Sequence, residues 1–455
     1  MNRDALRGKD PASAGRAVAA ALRRNRPLRA FLLALAGAVS EVRGSAFLAG
    51  GWLRDVVDGK PGADVDVMVA GMSHRALGEA LAALPRVRLG IRKVVPAGRH
   101  FPVFRVATRW NERYIDISTA RGGGESRGWA PFACALADAA RRDFTINSLL
   151  YELFPAGNRL SGELVDSFGG IGDLQRRTIR CVGTPDARLR EDPVRALRAI
   201  RMKNERKGYR IDPATWRAIR LLSPSLLPGV PADRLPGELL RSLRANPRGT
   251  LDDLRRSGIL RALLPELSRR KSGIDRARRR YASVARSAPG PVPETLLLAN
   301  LLLDLAPGQA DAAARRLRFP NVRRVVAAVS DLRALRRPDA MRFPLAETEA
   351  ILARQEDPIP FIALHRAAAA CDGARGKDLK RFLAYCRKTP VFIDGYDLEK
   401  MKFPEGPGRE EALLAVREAT LAGRIRDRGA ALETIRCGSP SRDCRPPRCS
   451  AGPAC

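Results

Sequence analysis

Histidine is nearly missing from this chain of 455 residues, which has only three. No apolar run is long enough to span a bilayer. The best candidate, Leu296 to Leu305, is interrupted by Asn300 and Asp304. Arg3, Arg7, Lys9 and Arg16 stand near the start, but no apolar core follows them directly. A secretory leader is therefore not expected. Zinc is poorly provided for. Cys134, Cys181, Cys371 and Cys386 are scattered as structural thiols are, while Cys437, Cys444, Cys449 and Cys455 crowd the end. Those last spacings fit no common zinc pattern and have no histidine beside them. These shortages point to a cytoplasmic protein with no membrane partner.

What is abundant is positive charge. Lys and Arg number 82 against 49 Asp and Glu, a formal net charge of +33. Such a field favours polyanions, with nucleic acid ahead of a membrane surface. The length leaves room for roughly two to four domains.

The chemistry concentrates in Gly50-Gly51-Trp52-Leu53-Arg54-Asp55, followed by Asp64-Val65-Asp66. The glycines end an apolar run, Ala46–Ala49, and a short helix start follows. Glycines let backbone N–H groups approach a phosphate closely. The stretch Asp64 to Val69 alternates acid and apolar residues as a strand does, so Asp64 and Asp66 share a face. Like charges on one face need a cation between them, typically a divalent metal with oxygen ligands. A solvated strand face with two acids is the plainer alternative.

In chain order, residues 1–25 read as a basic, flexible lead-in. A helix is expected over residues 27–42, and another over 73–84 with Ser73 as its cap. Residues 101–107 and 114–118 read as strands, the second placing Asp116 on a face opposite Ile115 and Ile117. Pairing could bring Asp116 to Asp64 and Asp66, and three convergent carboxylates suit a two-metal phosphoryl-transfer site. The glycine-rich run 121–128 reads as a moving loop or a mere linker.

Arg141-Arg142-Asp143-Phe144-Thr145-Ile146-Asn147 offers phosphate-binding arginines and a ribose acceptor, or simply a charged helix start. Asp166 to Leu174 reads mostly as a tight glycine connection. Glu191-Asp192-Pro193-Val194-Arg195 begins a helix with its acids in the first turn. Asp192 and Arg195, three apart, share a face. Such a pair matches the Watson–Crick edge of cytosine or adenine, or forms an intrahelical salt bridge. Beyond residue 212 the pattern is helical almost throughout, with basic faces suited to phosphate contact. From residue 436 onward the composition is that of a disordered tail.

Taken together, these runs resemble the bacterial (class II) tRNA nucleotidyltransferase and poly(A) polymerase family. Five motifs fall in register: residues 50–55 with 64–66, Ile115-Asp116, residues 141–147, residues 166–174, and residues 191–195. The resemblance implies an α+β architecture: a polymerase-β-like nucleotidyltransferase head, a small mixed sheet with helices, followed by all-α neck, body and tail. Head, neck and body with tail would occupy residues 26–180, 181–270 and 271–435, with the disordered tail from 436. It also implies roles. Asp64, Asp66 and Asp116 would be the catalytic carboxylates and bind Mg2+. Gly50, Gly51 and Arg54 would hold the triphosphate. Arg142 and Asp143 would contact phosphate and ribose, and Asn147 would support the site. Asp192 and Arg195 would pair with the incoming base, and Arg198 would join the nucleotide-binding set. ATP, CTP and the RNA 3′ end would be the partners.

The chain departs from the family pattern in places. After Arg201 the family usually continues with small and apolar residues before a glycine, whereas here the run is Met202-Lys203-Asn204-Glu205-Arg206-Lys207-Gly208. Trp52 stands where a small or aliphatic residue is common. Three histidines are too few for the histidine-aspartate phosphohydrolase domain that some relatives carry. Arg105 stands where polymerases tend to have histidine, which favours tRNA CCA addition, complete or partial. The basic surface and the run 190–195 favour the alternative, a poly(A) polymerase. An inactive RNA-binding scaffold is the reading from a different class.

Overall fold

The computed structural model describes residues 11–60, 62, 64–98, 102–120, 130–269, 271–287, 292–335, 345–353, 355, 358–371, 379–404 and 407–436. It forms two compact units, Met1–Ala245 with Asp252–Leu263, and Asn246–Leu251 with Leu264–Cys455. The first unit runs through residue 180 without a division there.

The first unit opens with helices α1 (Pro11–Arg24) and α2 (Arg26–Glu41). The strands of its main sheet are β1 (Ser45–Ala49), β2 (Val65–Ala70), β3 (Ile91–Ala97), β4 (Val103–Thr108), β5 (Ile115–Thr119), β6 (Leu150–Ala156) and β7 (Arg159–Val165). They form one mixed sheet in the order β3-β4-β5-β2-β1-β6-β7. Only β2 and β5 run parallel; the other pairs are antiparallel. Between them lie α3 (Gly50–Val57), α4 (His74–Ala83), α5 (Arg86–Leu89) and α6 (Pro131–Ala140). Ser73 caps α4, its side chain accepting from the Ala76 N–H at 3.2 Å.

Phe47 and Ala49 of β1 and Met68 and Ala70 of β2 form a core cluster with Cys134, Ala135 and Ala139 of α6. Asp66 is two residues before Met68, so it lies on the face that α6 covers, beyond the covered part. That placement leaves a half-buried carboxylate on an otherwise buried, apolar strand.

After the sheet come α7 (Gly170–Gln175), β8 (Thr178–Ile179), α8 (Pro185–Glu191), α9 (Val194–Glu205), β9 (Arg210–Ile211), α10 (Pro213–Leu226), α11 (Pro236–Ala245), α12 (Pro247–Arg256) and α13 (Ile259–Leu263). β8 and β9 pair in parallel.

Several expectations are corrected. Residues 11–24 are not a flexible lead-in: Ala14, Val18 and Leu22, spaced four apart, form the buried stripe of α1. Residues 1–10 lie outside the described residues. Strand β3 was not expected, because Arg92, Lys93 and Pro96 mask it and its register shifts after Ile91. The acids at 191–192 do not open a helix. Glu191 ends α8, Asp192 adopts extended backbone (φ −147°, ψ 98°), and α9 starts only after Pro193. The helical pattern beyond residue 212 is broken between α12 and α13 at Gly258, which has φ +78°. The glycine-rich run 121–128 and the cysteine-rich end lie outside the described residues.

The second unit is helical, with α14 (Pro265–Ser268), α15 (Lys271–Ser287), α16 (Glu294–Leu302), α17 (Pro307–Arg316), α18 (Val322–Ala334), α19 (Leu345–Ala353), α20 (Pro358–Cys371), α21 (Leu379–Lys388), α22 (Gly395–Lys400), α23 (Pro407–Leu421) and α24 (Arg428–Arg436). Among the described residues no helix is long and apolar enough to cross a membrane. The apolar run at 296–302 is instead a core helix, buried at every position. The two polar residues that interrupt it have a shared task. Asn300 Oδ1 and Asp304 Oδ2 accept from Arg280, 0% exposed, at 2.5 and 2.6 Å.

Removing one partner of a buried pair strands the other charge. Asp304→Ala is expected to destabilise the second unit by about 3–5 kcal/mol in denaturant unfolding. An unchanged midpoint would show that Arg280 does not depend on this carboxylate.

Candidate active site

The sheet register assembles the acidic face. β2 and β5 pair so that Asp66 stands directly opposite Asp116, and Val65 opposite Ile115. The expected convergence of the two strands therefore occurs. Asp64 falls just before β2, next to this pair.

The glycine turn touches the same carboxylate. Gly50 has φ +68°, and a Cβ there would lie 2.1 Å from Asp66 Oδ2. The Gly51 N–H points at that oxygen at 3.4 Å. The Trp52 N–H donates to the Asp64 carbonyl at 3.2 Å. The Trp52 side chain is buried against Gly62, where a Cβ would approach its ring to 2.4 Å.

Burial pushes the Asp66 carboxyl up to about 6, opposed by Arg142 and the Gly51 N–H and reinforced by Asp116 and Asp64. Burial also raises Asp116, against the opposing charge of Arg105. Arg105 Nε stands 3.4 Å from Asp116 Oδ1, an ion-pair distance without hydrogen-bond geometry, and that oxygen is buried without a hydrogen-bond partner. Asp64 is exposed and accepts from Arg113 Nη1 at 2.6 Å. Arg105 was singled out in the sequence only as a mark of the branch, and Arg113 not at all, although Arg105 lies in β4 beside β5 and Arg113 lies two residues before β5.

Around the turn the polar groups interlock. Arg54 donates from Nε to Asp55 Oδ1 at 3.0 Å and from Nη1 to Asn147 Oδ1 at 2.7 Å. Its Nη2 lies 3.6 Å from where a Gly51 Cβ would be. Asn147 Nδ2 donates to Asp143 Oδ1 at 2.9 Å. Asp143 Oδ2 accepts from Arg198 Nε at 2.8 Å and Nη2 at 2.7 Å. Burial alone would raise the Asp143 carboxyl, but the Arg198 charge and hydrogen bonds from Asn147, Arg198 and the Phe144 N–H hold it below the usual range. Arg142 donates to Asp138 Oδ2 at 3.3 Å and to the Asn147 carbonyl at 3.2 Å. Residues 145–147 are a 3-10 turn rather than a helix start.

The Asp192 and Arg195 side chains do not pair; only the Arg195 N–H meets the Asp192 carbonyl, at 3.1 Å. Asp192 accepts from Arg234 Nη2 at 2.9 Å and from the Val194 N–H at 3.2 Å. Arg195, 6% exposed, donates to Glu191 Oε2 at 2.8 Å and to the Arg141 carbonyl at 2.8 Å. The helical spacing assumed for them fails because Pro193 separates α8 from α9. The glycine connection behaves as a plain turn: Asp166 accepts from the Gly170 and Ile171 N–H groups at 2.7 and 2.9 Å, capping α7.

The donor set suits a hard divalent cation. It is all carboxylate oxygen, and mutual repulsion adds to the burial that raises Asp66 and Asp116. Among the described residues no three metal-ligating side chains yet converge tightly enough to hold an ion. Asp64 and Asp116 face Arg113 and Arg105 instead. These carboxylates have the oxygen chemistry that a divalent cation requires.

Residues 46–180 match the family model of the poly(A) polymerase head domain. Residues 208–270 match that of the probable RNA and SrmB-binding site of polymerase A. A multifunctional CCA protein of Xanthomonas campestris pv. campestris (strain B100) is 36% identical over 230 residues, 49% of this chain and 51% of that protein. Poly(A) polymerase I of Salmonella typhi is 35% identical over 241 residues, 49% of this chain and 47% of that protein. The chain thus spans about half the length of the curated relatives it matches. A solved CCA-adding enzyme with CTP has the same fold, with a TM-score of 0.68 and 22% identity over 89% of this chain and 94% of that one.

Two outcomes follow from the packing and the charge. Gly50→Ala forces a Cβ into both a left-handed backbone and Asp66, so a loss of at least about 2 kcal/mol is expected in denaturant unfolding. A wild-type midpoint would contradict the tight turn. The Asp66 carboxyl is raised in the fold, so its contribution is fully favourable below about pH 3.8 and is lost as pH rises through about 6. Metal-free Asp66→Asn is therefore expected to be more stable than wild type at pH 8, on the order of 2 kcal/mol. That gap should close near pH 4 in calorimetry, and a gap independent of pH would refute the assignment.

Proposed function

We propose that this chain, whose residues 46–180 and 208–270 belong to the poly(A) polymerase head and RNA-binding families, is a template-independent RNA 3′-end nucleotidyltransferase. Its main activity is addition of C and A from CTP and ATP to the tRNA 3′ end, with release of pyrophosphate. The observation that carries the reading is the juxtaposition of Asp66 and Asp116 across paired strands with the Gly50-Gly51 turn against them. The name of the CCA protein of Xanthomonas campestris supports the choice of CCA addition.

Asp64, Asp66 and Asp116 would hold magnesium, which lowers the pKa of the RNA 3′-hydroxyl and steadies the leaving pyrophosphate. The Gly51 N–H and Arg54 grip the triphosphate beside those carboxylates. Arg142 adds positive charge, and Asp143, fixed by Asn147 and Arg198, accepts from the ribose. Charge stabilisation of this kind is the main catalytic contribution in such sites. Asp192 and Arg195 read the base after Arg195 leaves Glu191. Residues 26–180 form the head, 181–270 the neck, and 271–435 the body and tail, whose basic helices take the RNA. The protein works in the cytoplasm, away from membranes.

The Salmonella relative supports one second reading, addition of AMP tracts to RNA 3′ ends. Incubation with tRNA lacking its 3′ end, magnesium, CTP and ATP separates the two. Two C and one A per tRNA is the expected product, and long A tracts on any RNA would transfer the assignment to polyadenylation. Asp64→Ala is expected to lower incorporation by about a thousandfold or more while RNA affinity stays within about twofold. An active Asp64→Ala chain would refute the metal role.

A further inference from the structure

The run in which this chain departs from its family is a buried polar joint. Arg206, 8% exposed, donates from Nη1 to Asp58 Oδ2 at 2.8 Å and from Nη2 to Asp55 Oδ1. Both acids lie at the glycine-turn helix, Asp55 within α3 and Asp58 at its C-cap. The Tyr209 ring lies below the Arg206 guanidinium, 5.5 Å from its centroid. Just before it, Lys203 and Asn204 donate to the buried carboxylate of Asp253 at 2.6 and 3.0 Å. The run thus carries a cation set against α3, the helix that starts at Gly50-Gly51.

The consequence falls on Arg54. Asp55 Oδ1 accepts from both Arg54 Nε and Arg206 Nη2. Asp58 Oδ2 accepts from both Arg206 Nη1 and Lys60 Nζ, the latter at 2.8 Å. Two carboxylates therefore face two cations before Arg54 is counted, and the Arg54 charge is not consumed. Without Arg206, Asp55 would hold Arg54 as its only cation, in a half-buried setting where such a pair is strong.

We propose that Arg206 is a positioning residue that neutralises Asp55 and Asp58, so that Arg54 keeps its charge for the nucleotide triphosphate. The inference rests on the triphosphate role proposed for Arg54. It makes Asp55 a competitor for Arg54 that Arg206 holds in check, and it ties the end of α9 to the phosphate side of the site.

The test is equilibrium titration of CTP without RNA, beside steady-state incorporation with tRNA. Arg206→Met keeps a long side chain and removes the charge. It is expected to weaken CTP binding and raise KM about tenfold, with a smaller change in kcat. Arg206→Lys restores one ion pair and should recover about half of that loss on a logarithmic scale. The deciding variant is Asp55→Asn with Arg206→Met, which removes the competitor as well and should return CTP affinity to within about threefold of wild type. Unchanged CTP affinity in Arg206→Met, or a double variant as weak as the single one, would overturn the proposal. If Arg206→Met does not fold, Arg206→Lys against Asp55→Asn with Arg206→Lys gives the same comparison. A wild-type chain that binds CTP but extends no RNA would instead sink the proposed function, so the two failures are distinguishable.

Discussion

Carboxylates crowded on one half-buried face repel each other, and positive charge must stand beside them. Asp64, Asp66 and Asp116 set that requirement here, and much of the first unit answers it. Arg113 takes Asp64, Arg105 takes Asp116, and Arg142 with the Gly51 N–H faces Asp66. Burial still raises the Asp66 carboxyl to about 6 against Arg142 and the Gly51 N–H. A divalent cation would meet the same requirement more completely, because all available donors are hard oxygens. The arginine pairs hold the acidic face together until then.

The same logic of matched charge runs outward from the turn. Arg54 meets Asn147, Asn147 meets Asp143, and Asp143 meets Arg198, which reaches Glu238 of α11. Each partner leaves few unpaired polar atoms in a half-buried region, which is what makes such a network rigid. The glycine turn, the strand pair and α9 are thereby held as one constellation. Arg206 closes a second path between α9 and α3.

Local pattern made much of this legible in the sequence. Ser73 and the helix it caps, strand β2 and the approach of Asp116 to Asp66 all follow from period and pairing. The second helix and the glycine turn were equally plain. What stayed hidden were features that depend on distant partners. Strand β3 carries Arg92 and Lys93 because it is an edge, so its apolar signal is weak. Helix α1 shows a narrow stripe of Ala14, Val18 and Leu22 that basic neighbours obscured. Arg206 and Asp55 are 151 residues apart, and no local rule could join them. Pro193 misled in the other direction: tolerated at a helix start, here it marks the break that sends Asp192 and Arg195 to different partners.

The central claim is that the paired carboxylates of β2 and β5 form a metal centre for nucleotidyl transfer. It is tested most directly by titrating Mn2+, followed by electron paramagnetic resonance, into wild type and Asp66→Asn with a non-reactive CTP analogue present. Wild type is predicted to take up Mn2+ in a nucleotide-dependent way, and Asp66→Asn to lose that uptake while still folding. Equal uptake by the two proteins would contradict the account.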